Sequence, residues 1–137
     1  MLPRFFLVLG HQVRGQMVPA WPGGGRGQRS VGLDGDWVAW RLVGSNHREL
    51  ARSAAAFTDA AAARAAVAVV QARIDAAVAG TEAVRGRWGW QLSIEGVVVA
   101  VSSRLYQRSR ECADSLATAV AGLRVAEFRD AVPRVRP

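Results

Sequence analysis

One local pattern occurs twice in this chain of 137 residues. Leu33-Asp34-Gly35-Asp36-Trp37-Val38-Ala39-Trp40-Arg41-Leu42 is answered by Val84-Arg85-Gly86-Arg87-Trp88-Gly89-Trp90-Gln91-Leu92, and four of the five tryptophans fall inside the two copies. Downstream, Ala51, Ser53 and Phe57 return as Ala100, Ser102 and Tyr106. A repeat constrains architecture more than any single motif, because one supersecondary unit must be built twice and both copies must share a core. It dictates no chemistry.

The spacing between the copies locates their differences. Gly35 to Gly86 and Trp37 to Trp88 are 51 residues apart, Trp40 to Trp90 is 50, and Ser53 to Ser102 is 49. The first step lies between the tryptophans, where one extra residue in a strand reads as a β-bulge. The second lies between Leu42 and Ala51, where Gly44-Ser45-Asn46-His47 faces the shorter Glu95-Gly96. A hairpin turn admits such an insertion without moving its strands.

Each copy reads as strand, turn, strand, helix. Trp88, Trp90, Leu92 and Ile94 alternate with Gly89, Gln91 and Ser93, and Val38, Trp40 and Leu42 form the matching face; period two is the mark of a half-buried strand. The β-branched run Val97 to Val101 is the return strand, with Leu50 to Ser53 its shorter counterpart. Thr58 and Ser109 are placed as helix N-caps. Ala63, Val67, Val70 and Ile74 form a helical stripe that meets Cys112, Leu116, Ala119 and Leu123 at an offset of 49. Gly80 is read as the C′ residue of the first helix, and Arg64, Gln71 and Asp75 as its solvated side. Asp59, Arg64, Arg73 and Asp75 leave residues 54–80 too charged for a membrane span, which needs about 20 largely apolar residues.

The order Gly86-x-Trp88-x-Trp90-x-Leu92, a glycine-containing turn, an apolar run ending in Ala100-x-Ser102, and Tyr106 before an Ala-rich helix resembles the YegP-like (DUF1508) family of small tandem-repeat proteins. The resemblance covers residues 31 to 126. It implies an α+β fold in which two pseudo-symmetric β-hairpin-plus-helix repeats form an antiparallel sheet with two helices packed on one face. It implies no reaction, because the family supplies no catalytic residues.

Domain boundaries follow. Residues 1–30 form an N-terminal extension and Gly/Pro-rich linker, 31–80 repeat 1, 81–127 repeat 2 and 128–137 a C-terminal tail, with both repeats in one domain. Phe5-Phe6-Leu7-Val8-Leu9 is shorter than the roughly 7–15 residues of a signal-peptide core. It suits a short strand on an edge of the repeat sheet, and the chain reads as cytoplasmic. Pro19 to Gly27 reads as linker, lacking the Gly-Lys-Ser/Thr of a phosphate loop.

A formal charge of +7 raises the question of partners. All 18 basic residues are arginine, the residue suited to phosphate forks and base stacking. Arg85, Arg87, Arg104, Arg108 and Arg110 gather around Trp88 and Tyr106, the composition of a nucleic-acid platform. The plainer reading is an Ala-, Gly- and Arg-rich coding bias, with arginines on solvated faces and in tails that hold Arg129, Arg134 and Arg136. Trp40 and Trp90 are core. Trp37, put out of phase by the bulge, is the candidate for an exposed binding tryptophan. A pseudo-dyad that joined the turns would pair Asp34 and Asp36 with Arg85 and Arg87.

Catalytic residues are not apparent. His11 and His47 have no Cys, Ser or carboxylate partner at a recognised spacing. The lone Cys112 rules out an internal disulfide and a Cys-based metal site, and its place in the stripe marks a core hydrophobe. No cofactor or metal is expected. The chain reads as a non-catalytic binding or interaction module for a protein partner or for itself, through an exposed edge at Val97 to Val101. Nucleic acid through the Arg-rich surface is the alternative, and no membrane is expected.

Overall fold

A computed structural model describes residues 2–11 and 35–128. The pairing proposed for Asp34, the linker of residues 19–27 and the tail arginines lie outside the described residues. The strands are β1 (Arg4–His11), β2 (Asp36–Val43), β3 (Glu49–Ser53), β4 (Val78–Val84), β5 (Arg87–Ile94), β6 (Val97–Val101) and β7 (Glu127–Phe128). Helix α1 (Ala60–Ala72) continues into a 3₁₀ turn at Ile74–Ala76, and α2 is Ser109–Val125. One sheet of order β4-β5-β6-β3-β2-β1-β7 holds all seven strands, antiparallel except for the pairing of β7 with β1. This is the expected α+β class, with each hairpin extended by one further strand, β1 or β4.

Both halves are built by the same hydrogen bonds. Val38 and Phe57 exchange backbone bonds of 2.8 and 2.6 Å, as Trp88 and Tyr106 do at 2.7 Å. The buried hydroxyls of Ser53 and Ser102 accept the Trp40 and Trp90 amides at 3.1 and 3.2 Å. The ladders of both hairpins shift register at equivalent places, Leu42/Val43 and Leu92/Ser93. At the centre Arg52 lies opposite its own counterpart Val101, so the half-turn relating the halves passes through that pair.

This geometry corrects the bulge between the tryptophans. β1 and β2 pair without interruption from Arg4↔Val43 to His11↔Asp36. Val38, not Trp37, therefore occupies the position of Trp88. Three residues from Trp40 on an unbroken strand, Trp37 points to the opposite face. There it is buried with Ala39 and Ala56 and packs over Gly10, so it is not an exposed binding tryptophan. Asp36 bonds His11 Nδ1 at 2.7 Å. β2 and β5 run antiparallel with β6 and β3 between them, which places Asp36 and Arg87 at opposite ends of the sheet and removes their pairing.

Helix ends also differ from expectation. Asp59, not Thr58, caps α1, its carboxylate accepting the Ala62 amide at 2.8 Å. Arg108, not Ser109, is the N-cap of α2 and makes no side-chain capping bond. Helix α1 stops at Arg73, and Gly80 lies in β4 opposite Gln91. The chain turns into a hairpin there because Arg85 and Gly86 both take positive φ (51° and 78°), as do Glu95 and Gly96, the pair of left-handed residues that closes a two-residue turn with the right twist. Gln71 is not solvated: its amide donates to the Leu123 and Ala126 carbonyls at 3.1 and 2.8 Å and ties α1 to the end of α2.

The core between sheet and helices is one cluster that includes Phe5, Leu7, Trp40, Leu42, Val67, Val70, Trp90, Leu92 and Leu123. Phe5 meets Trp40 edge-on at 5.5 Å and Phe128 at 5.4 Å. Cys112 is fully buried in it, and burial pushes its thiol pKa up. The run Val97 to Val101 is an inner strand of the sheet: β5 pairs along it, and on its other side β3 pairs at Ala100 and Val101 while the Ala54 amide bonds the Val99 carbonyl, so it is not an outer edge over that half. Among the described residues no helix is long and apolar enough to cross a membrane.

Candidate binding cleft and arginine corner

Helix α2 lies against β5 and β3, and one flank of it borders a cleft of about 550 Å³ whose far wall is the end of the β2–β3 turn at Arg48 to Leu50. A second hollow of about 390 Å³ shares Arg48, Leu50 and Thr118 with the first and extends the groove to Gly122 and Val125. Five residues, Gly44 to Arg48, form this turn where the other hairpin uses two, and a bond of 2.8 Å from the Gly44 amide to the Arg48 carbonyl holds it. The longer turn seen in the sequence therefore builds one wall of the groove.

At the floor, the Trp90 indole N–H donates to Ser115 Oγ at 3.0 Å, and the Tyr106 hydroxyl lies 2.7 Å from the same atom. Indole, serine and tyrosine bring three donor hydrogens, and these two bonds use two of them. One hydroxyl proton, on Ser115 or Tyr106, is not used by these two bonds. In the other half these positions hold Phe57 and Ala66, which carry no hydroxyl. The fold can be built without the polar pair.

The charges around this floor are of both signs. Arg104 stacks over the Tyr106 ring at 5.0 Å, and Arg48 is exposed beside it on the same cleft. Glu111 and Asp114 line it as carboxylates, whereas Glu49 is held by Arg52 through bonds of 2.6 and 3.1 Å. Among the described residues no three of His, Cys, Asp and Glu lie together as a ligand set for a metal ion.

The five arginines singled out in the sequence are all exposed. Arg87 precedes Trp88, Trp88 is bridged to Tyr106, and Arg104 and Arg108 stand two residues to either side of Tyr106. Arg85 is in the adjoining β4–β5 turn and Arg110 in the first turn of α2. They share one corner, and none of them has an ion-pair partner among the described residues. Arg104 alone of the five lines the cleft. Ser115, Asp114 and Arg48 are contributors that the sequence reading did not single out. The signal for Ser115 was present in the aligned pairs Phe57/Tyr106 and Ala66/Ser115, where one copy is polar.

A solved structure, the solution NMR structure of the protein of unknown function yegP from E. coli, matches with a TM-score of 0.58 over 94% of both chains at 16% identity. The chain has a YegP-like fold. No family model matches the sequence, and none of the curated proteins does. The likeness between this chain and yegP therefore lies in the arrangement of strands and helices.

Proposed function

We propose that this protein is a non-catalytic binding module of the YegP-like (DUF1508) type and that its ligand occupies the groove beside α2. The observation that carries this reading is the Tyr106–Ser115 hydroxyl pair, present in one half of the molecule and absent from the equivalent place in the other. A difference the fold does not require is a difference available to function. The cleft volume falls in the range of about 300–1,000 Å³ usual for small-ligand sites. Two guanidinium groups, two carboxylates and a hydroxyl donor suit a ligand that bears both charges, such as an amino acid or short peptide. The non-catalytic reading is supported by the partners of Ser115, an indole and a phenol, neither of which is a base that would activate a hydroxyl at neutral pH. Titration of amino acids and dipeptides into labelled protein tests it by NMR. Shifts confined to residues 103–118 and the Arg48 turn, lost in Tyr106→Phe, are expected; shifts elsewhere, or unchanged in Tyr106→Phe, would overturn the assignment.

Nucleic-acid binding is the second reading, favoured by the five arginines at one corner without ion-pair partners among the described residues. Glu111 and Asp114 oppose it on the cleft side by repelling phosphate. If all five arginines contact phosphates of a single strand, log affinity falls with log salt at a slope of about −3.5. Changing the five to glutamine removes that slope if they are the contacts, and leaves it if the affinity comes from elsewhere.

A further inference from the structure

Strand β4 ends the sheet on the side opposite β7, and its outer flank has no partner among the described residues. Val78 is 67% exposed, and Ala79, Thr81, Glu82 and Ala83 are exposed with it. The two-residue turn dictates which backbone groups face outward. Val84 pairs with Arg87 across the turn, so Val84, Glu82, Gly80 and Val78 direct their N–H and C=O groups to β5. Ala79, Thr81 and Ala83 direct theirs away from the sheet.

The two ends of the sheet are finished differently. Beside β1, the segment that follows α2 becomes β7 and pairs at Arg4↔Glu127 and Phe5↔Phe128. The half-turn relating the halves places β4 where β1 stands, but the segment that follows α1 is β4 itself, so among the described residues no strand equivalent to β7 lies beside it. Proteins commonly block such an edge with lysine, proline or a bulge. β4 has no Lys, Pro or register shift, its outward-directed residues are small, and its only charge is Glu82.

We propose that a second copy of this chain pairs antiparallel with β4, Thr81 opposite Thr81, to make a twofold dimer whose sheet runs through both copies. The strand is complementary to itself in that register. Ala79 meets Ala83, so every outward-directed N–H and C=O along 79–83 gains a partner, and the central Thr–Thr pair is a favourable cross-strand contact. Glu82 falls opposite Gly80. Of the two neighbouring registers of the same hydrogen-bond parity, one sets Glu82 against Glu82 and the other Gly80 against Gly80, and neither places Thr81 opposite itself. An edge that pairs with its own copy is used up on both sides, so the assembly closes at two.

Sedimentation of the full chain, with Thr81→Lys and cysteine variants, tests this. The wild type is expected as a dimer, and Thr81→Lys, which opposes two ammonium groups, raises the dissociation constant about tenfold or more. Under mild oxidation Thr81→Cys is expected to give a disulfide-linked dimer and Glu82→Cys not to, because only residue 81 meets itself; the buried Cys112 does not compete. The cysteine arm stands on its own should Thr81→Lys fail to fold. A wild-type monomer at every concentration, a chain of higher polymers, or equal cross-linking at 81 and 82 would overturn the proposal.

Discussion

Ser53 and Ser102 perform the same task with different amounts of help, and that difference sets a measurable order. Ser53 is fully buried; its Oγ accepts the Trp40 amide at 3.1 Å and donates to the Ala55 carbonyl at 2.7 Å. Ser102 is 8% exposed, and its Oγ accepts the Trp90 amide at 3.2 Å. Replacement by alanine removes almost no apolar area, so its effect reports hydrogen bonding. Each buried group left unsatisfied costs about 1–3 kcal/mol. Ser53→Ala orphans a fully buried amide and a half-buried carbonyl, for about 3 kcal/mol, whereas Ser102→Ala orphans one amide, for about 1–2 kcal/mol. At about 3–5 °C per kcal/mol for a chain of this size, Tm falls by about 10–15 °C in the first and about 5 °C in the second. Guanidinium titration followed by tryptophan fluorescence reads this as a lower midpoint at unchanged slope. Ser53→Ala within about 0.5 kcal/mol of wild type, or Ser102→Ala the costlier of the two, would show that these hydroxyls do not hold the tryptophan amides.

Three further outcomes are expected. Gly10→Ala sets a methyl 2.0 Å from the Trp37 ring, so it destabilises by about 1–3 kcal/mol as an overpacked site does; thermal denaturation measures this, and the loss shrinks when Trp37→Leu is combined with it. Asp59→Ala loses the α1 cap and about 1 kcal/mol, while Thr58→Ala loses almost nothing, a contrast that chemical denaturation resolves. Burial raises the Cys112 thiol pKa in the folded state above its ordinary value, which for a free cysteine is about 8.5. Its contribution to stability is thus complete below that pH and declines as pH rises above it, and stability curves from pH 7 to 10 should show that decline in wild type but not in Cys112→Ala.

The periodicity of Val38, Trp40 and Leu42 against Trp88, Trp90 and Leu92 made the hairpins legible, because burial of one face demands alternation. The helical stripes were legible for the same reason, with Cys112, Ala119 and Leu123 all buried where they were expected. β4 was hidden. Its residues, Val78-Ala79-Gly80-Thr81-Glu82-Ala83-Val84, are exposed on an edge, so no alternation was selected, and Gly80 imitated a helix terminus. Trp37 misled because aligning tryptophan with tryptophan outweighed strand parity; only β1 shows that the ladder is unbroken. In the cleft, Arg104 and Tyr106 were visible as neighbours in sequence. Arg48 reaches it from a turn and Ser115 from a helix, and such convergence depends on the fold.

The strands β4 and β5 are joined by two residues, and their counterparts β1 and β2 by the 24 residues between His11 and Asp36. Closing the longer connection costs about 2 kcal/mol more chain entropy, since each doubling of length adds about 0.6 kcal/mol. The folding pathway should feel that cost where the finished geometry does not. β4, β5, β6 and α2 are contiguous in sequence and form a nucleus of local contacts, the kind that assembles early. β1 must travel back across a long segment to reach β2, and β7 has no neighbour until β1 has docked. Pulse-labelled amides should therefore become protected first in residues 78–125 and last in residues 4–11 and 127–128, so that two halves alike in space are separated in time.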